Sequence, residues 1–124
     1  GSRGTAGFMA PEVINGAPPE KPSDIFSFAM LLSVLLTDVA PYSHYETDIA
    51  IARAVCDKNE RPVLPPAESP GFSVVELVGQ CWALEVGARP TALKVNAGVI
   101  RLAERHRAQR DLESAAERER KMAQ

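Results

Sequence analysis

The run Ile25-Phe26-Ser27-Phe28-Ala29-Met30-Leu31-Leu32-Ser33-Val34-Leu35-Leu36 holds no polar residue larger than serine and shows no polar stripe at helical spacing. A helix apolar on every side is surrounded by protein or by lipid. The run is well short of the ~18 or more apolar residues a membrane span needs, so it reads as a buried core helix. Its start is predicted at Ser23-Asp24, after Pro22, where a capping-type residue precedes an acid in the first turn. Whatever this chain folds into must cover that helix all round.

Proline punctuation organises the rest. All ten prolines fall before Thr91, and no window repeats. Thr47-Asp48 offers the start of a second helix, through about Asp57. The loop with Pro62, Pro65, Pro66 and Pro70 excludes regular structure. Ser73-Val74-Val75-Glu76 matches a capping box and opens a third helix with Val74, Leu77, Val78, Cys81 and Trp82 on one face. Thr91 caps a fourth, on which Leu93, Ala97, Ile100 and Ala103 are expected to point inward. Gly98 inside it costs ~1 kcal/mol relative to alanine, which implies close packing there. Strand signals are nearly absent, so the predicted fold class is all-α, with four main helices.

Composition narrows the function. The chain has 124 residues with 14 Lys+Arg against 16 Asp+Glu, and a charge of −2 gives no electrostatic footprint for nucleic acid or a membrane surface. Cys56 and Cys81 are too few for a disulfide scaffold, which favours a reducing compartment. His44 and His106, with no cluster of Cys or carboxylate at ligand spacing, leave a zinc site unsupported. The start, Gly1-Ser2-Arg3-Gly4-Thr5, has neither an apolar run nor a basic leader, and without an initial methionine it is expected to belong to something longer. From Arg101 onward seven basic and five acidic residues read as a solvated helical extension, with Arg107–Asp111 and Glu117–Lys121 at i,i+4. A coiled-coil seam is the competing reading, but Leu102, Leu112 and Ala116 do not sustain a heptad.

Four segments, in order, carry a resemblance. Gly4-Thr5-Ala6-Gly7-Phe8-Met9-Ala10-Pro11-Glu12 resembles the end of a protein-kinase activation segment. The stretch Ser23-Asp24-Ile25-Phe26-Ser27-Phe28-Ala29-Met30-Leu31-Leu32 resembles the kinase central helix. Arg61-Pro62, with Leu64-Pro65, and then Cys81-Trp82, Glu85 and Arg89-Pro90-Thr91 resemble later segments of tyrosine-kinase-like kinases. The chain is thereby identified as similar to the later part of the C-terminal lobe of a Ser/Thr protein kinase. The resemblance covers residues 1–106, with 107–124 as a charged helical extension.

The resemblance implies roles. Thr5, with Ala6, Gly7 and Phe8, would form the loop that receives the substrate next to the phosphoacceptor, and threonine there implies Ser/Thr specificity. Phe8 replaces the family's tyrosine, so a hydroxyl contact is lost. Glu12 would form a buried ion pair with Arg89. Asp24 would accept amides of the catalytic loop, its alternative being a helix-start acid facing the dipole. Leu31 and Leu35 would support the apolar stack beside adenine. Ser2 and Thr5 are the candidate phosphosites. Phe26 stands for tryptophan, Ala29 for glycine, and Glu85-Val86 for Asp-Pro, a change expected to loosen that loop.

The glycine-rich loop, strand lysine, His-Arg-Asp and Asp-Phe-Gly of a kinase are all missing from the 124 residues, and His106-Arg107 is followed by Ala108 on a charged helix. The chain is therefore expected to hold no catalytic residue, no metal and no cofactor of its own. ATP and magnesium would belong to the intact protein, whose missing N-terminal β lobe and catalytic half would be this chain's partner, alongside protein substrates. The expected location is cytoplasmic, including the inner side of a receptor. The alternative is a non-catalytic, pseudokinase-like interaction module using Tyr42, Tyr45, Ile49 and Ile51 as apolar anchors. Either way the isolated chain should be catalytically silent and, with its central helix short of neighbours, poorly soluble or molten.

Overall fold

The computed structural model describes residues 6–67 and 73–124, and every regular element among them is helical. The order is α1 (Pro11–Ile14), α2 (Lys21–Thr37), α3 (Asp48–Cys56), α4 (Val74–Cys81), a 3-10 turn (Val86–Ala88) and α5 (Ala92–Met122). Helix α1, which the sequence pattern did not announce, is one turn started by Pro11, whose fixed φ suits a first helical position.

Helix α2 starts earlier than Ser23-Asp24. Glu20 is its N-cap: the Glu20 side chain accepts from the Ser23 backbone, and Ser23 Oγ accepts from the Glu20 N–H at 2.8 Å. This capping box has the usual residue types exchanged, serine at the third position and the acid at the cap. Pro22 sits in the first turn, where no N–H is needed. At the other end Asp38, at φ 58°, turns the chain left-handed while its N–H reaches the Val34 carbonyl at 2.7 Å.

The serines of the apolar helix are both satisfied. Ser33, fully buried, donates to the Met30 carbonyl at 2.6 Å, and Ser27 donates to the Phe8 carbonyl at 2.7 Å. Thr47, Ser73 and Thr91 cap α3, α4 and α5 by accepting from the N–H of Ala50, Glu76 and Lys94 at 3.1, 3.1 and 3.2 Å.

Helix α2 separates two apolar clusters. Phe26 and Met30 join Ala10, Tyr42, Ile51, Ala54 and Val55 on the side of α1 and α3. Ile25 and Ala29 join Val78, Cys81 and Val95 on the side of α4 and α5. The third side has no cover among the described residues: Leu31 is 50% and Leu35 74% exposed. The expectation of a helix enclosed all round is therefore met on two sides only.

Helix α5 also departs from its predicted face. Leu93 (79% exposed), Ile100 (48% exposed), Ala97 and Ala103 point outward, while Val95, Gly98 and Leu102 turn toward α4. Its two apolar stripes compete, and the one chosen lets the Gly98 backbone approach Leu77: a Cβ built there would lie 3.6 Å from Leu77 Cδ1. The helix runs unbroken across the expected 106/107 boundary.

Candidate functional site

The centre of the molecule is a buried guanidinium. Arg89 stands just after the 3-10 turn, which keeps its form with Glu85 and Val86 in place through an Ala88 N–H to Glu85 carbonyl bond of 3.1 Å. The Arg89 side chain is 0% exposed and meets Glu12 of α1 through two parallel bonds, Nη1 to Oε2 at 2.7 Å and Nη2 to Oε1 at 2.9 Å. Nε donates to the Ala83 carbonyl at 2.8 Å and Nη1 also to that of Pro22 at 3.0 Å. A buried charge survives in this form because each of the three guanidinium nitrogens has a partner, with a carboxylate oxygen pair shared by Nη1 and Nη2. The hydrogen bonds from Arg89 hold the Glu12 carboxyl below the usual glutamate range against the opposing pull of burial. One residue thus ties together the end of the first loop, the start of α2 and the loop before α5.

A second arginine, given no role from sequence, reinforces this centre. Arg61 reaches the Trp82 carbonyl through Nε at 3.0 Å, and through Nη1 the carbonyls of Glu60 at 2.8 Å and Val55 at 3.3 Å. Its guanidinium carbon lies 5.0 Å from the centroid of the Phe26 ring, and that of Arg89 5.1 Å from the same ring. Two cations over one π-system explain an aromatic residue at this fully buried position. Nη2 of Arg61 has no hydrogen-bond partner among the described residues. The Arg61-Pro62 pair was legible as a motif, but beside the adjoining Glu60 its carbonyl partners lie in α3 and at the end of α4, and no local pattern exposes those two.

Glu60 gathers another group. Its carboxylate accepts from Tyr45 Oη at 2.6 Å and meets His44 Nε2 at 3.1 Å, while its carbonyl accepts from Tyr42 Oη at 2.6 Å. The bond to Glu60 raises the Tyr45 hydroxyl pKa, and burial raises that of Tyr42. Tyr42 and Ile51 are buried, Tyr45 is half-buried, and of the four proposed anchors Ile49 alone is freely exposed. The anchor expectation is corrected accordingly: three of those side chains build the fold.

Among the expected substrate-loop residues, Gly7 is buried and Ala6 and Phe8 pack on the first apolar cluster. Thr5 and Ser2 lie outside the described residues. Asp24 is exposed on the first turn of α2, on the side that continues through half-buried Phe28 to Leu31 and Leu35. This makes an open stripe: a carboxylate at one end and aliphatic side chains along the rest.

Both thiols are passive. Burial pushes Cys81 up to about 11, and raises Cys56, whose Sγ lies 3.7 Å from the Pro11 carbonyl. Among the described residues there is no group of three His, Cys, Asp or Glu placed to hold a metal ion, and no helix long and apolar enough to cross a membrane.

Comparison with known proteins adds a family. The model of the protein kinase domain matches residues 2–98. The dual specificity protein kinase shkD of Dictyostelium discoideum is 37% identical over 90 residues, 73% of this chain and 12% of that protein. The serine/threonine-protein kinase STY17 of Arabidopsis thaliana is 38% identical over 92 residues, 74% of this chain and 16% of the relative. The serine/threonine/tyrosine-protein kinase HT1 of the same plant is 37% identical over 90 residues, 73% of this chain and 22% of the relative. The chain thus spans no more than about a quarter of the length of these relatives.

Proposed function

Because the chain belongs to the protein kinase domain family, we propose that it is the substrate-platform and scaffold part of the C-terminal lobe of a Ser/Thr protein kinase. In that reading the intact protein transfers a phosphoryl group from ATP to a Ser or Thr hydroxyl. The observation that carries it is the Glu12–Arg89 pair, bidentate at 2.7 and 2.9 Å, across two segments that resemble a kinase at those positions.

This part contributes position rather than chemistry. The pair and the Ser27–Phe8 bond at 2.7 Å hold the segment from Ala6 to Glu12 against the central helix, and Ala6-Gly7-Phe8, with Thr5 preceding them in the chain, would be the platform for the residue next to the phosphoacceptor. The open stripe of Asp24, Leu31 and Leu35 is the seat of the catalytic half, with Asp24 accepting backbone amides and the leucines supporting the adenine-side stack. In the intact protein ATP and magnesium would supply the transferable group and its charge neutralisation from that other half. Ser2 and Thr5 are the phosphosites proposed to order the platform through arginine contacts. A cytoplasmic setting accords with two unpaired thiols.

The coding sequence upstream of Gly1 tests this reading. A strand lysine, His-Arg-Asp and Asp-Phe-Gly are expected there, and an upstream region with none of them overturns the catalytic reading in favour of a pseudokinase-like module. In the intact protein, Thr5→Ala should lower phosphoryl transfer at least tenfold and Thr5→Ser should restore most of it.

A further inference from the structure

Helix α5 continues to Met122, while the family match ends at residue 98. From 103 to 122 every residue but Ala115 is exposed, so the later half of the helix stands off the body of the molecule. We propose that residues 107–122 form a free-standing charged helix, a stiff arm about 24 Å long at 1.5 Å per residue, whose direction is fixed where α5 crosses α4.

Three observations carry this. The costly step of starting a helix is already taken, because Thr91 caps α5 and Val95 is packed in the second apolar cluster. Propagation then needs only residues that favour the helix, and no glycine or proline follows Gly98 to interrupt it. Among the described residues, the side-chain bonds of residues 107–122 are internal to the arm: Arg120 Nη2 donates to Glu117 Oε2 at 2.6 Å, and Gln109 Nε2 to Glu113 Oε1 at 3.2 Å.

The arm carries neither an association seam nor a face of one sign. Leu112 and Met122 are exposed singly, without a heptad between them. At helical spacing Arg107, Arg110, Arg118 and Lys121 share a face, but Glu113 with Glu117 border it on one side and Glu104 with Asp111 on the other. Such an arm is a spacer. It holds its far end at a set distance and angle from the platform, because a helix without a hinge passes on the orientation of its packed half.

Circular dichroism of the whole chain tests this with Ser114→Pro, which breaks the arm at its middle and leaves the packed elements untouched. The 222 nm signal should fall by the contribution of about a dozen helical residues. The difference between the two proteins should stay constant when both are diluted from about 100 to about 1 μM, and should shrink in about 1 M NaCl as the charge pairs are screened. No change on Ser114→Pro would show that the segment is not helical. A difference that vanishes on dilution would show that a second copy holds the helix, and either result overturns the proposal.

Discussion

A guanidinium with no access to solvent needs a partner at each nitrogen, and Arg89 finds them in a carboxylate and two carbonyls. Removing one side of such a pair leaves the other charge buried alone. Glu12→Gln should therefore lower the unfolding free energy by about 3 kcal/mol, measured by urea titration at neutral pH, whereas exposed Glu119→Gln should change it by less than about 0.5 kcal/mol. The same pair sets a pH dependence. The Glu12 carboxyl titrates lower in the folded chain than in the unfolded one, so its contribution is complete above the ordinary glutamate range and is lost as pH falls through the lowered value. Wild-type stability should thus fall more steeply than that of Glu12→Gln between about pH 5 and pH 3. The partnership of Glu12 and Arg89 was legible as a family pattern before any geometry. The place of Arg61 over Phe26 was not, because a cation over a ring leaves no trace in residue spacing.

The caps of α3, α4 and α5 were written in Thr47, Ser73 and Thr91, since a hydroxyl placed before a periodic run has a local task. Helix α2 hid its start because its capping box exchanges the usual residues. The buried face of α5 was misread for a different reason. Leu93, Ala97 and Ile100 make the bulkier stripe, but the side that packs is that of Val95, which enters the second apolar cluster beside Val78 and Cys81 of α4. Gly98 is not required by its backbone angle, and the space beside Leu77 admits a methyl group at ordinary contact distance. Gly98→Ala should accordingly raise stability by about 0.5–1 kcal/mol through helix propensity, read as a higher urea midpoint at unchanged slope. Gly98→Leu should lower it by driving α5 off α4.

At the scale of the whole molecule, ordinary composition concealed an unequal distribution of cover. The helix that the rest of the chain must enclose is packed through Phe26, Ala29 and Met30, while Leu31 and Leu35 meet solvent along a side that Asp24 opens. Sequence could state that every side of α2 is apolar; it could not state which side this chain leaves bare, because that depends on where α1, α3, α4 and α5 settle. Burying apolar area returns about 25 cal/mol per Å2, so the bare stripe favours association: under the proposed function the catalytic half would seat on it, and in the isolated chain copies would adhere through it. Leu35→Lys separates the two consequences. In the isolated chain it should leave urea stability within about 0.5 kcal/mol and raise the concentration at which light scattering appears, since the residue is already 74% exposed. Met30→Ala, by contrast, should cost about 2–5 kcal/mol because that side chain is wholly enclosed. In the intact protein the order should change: a lysine at position 35 places a charge in a closed apolar seam, and stability should drop by several kcal/mol. Equal tolerance of Leu35→Lys in the fragment and in the intact protein would show that nothing seats on α2 at this face.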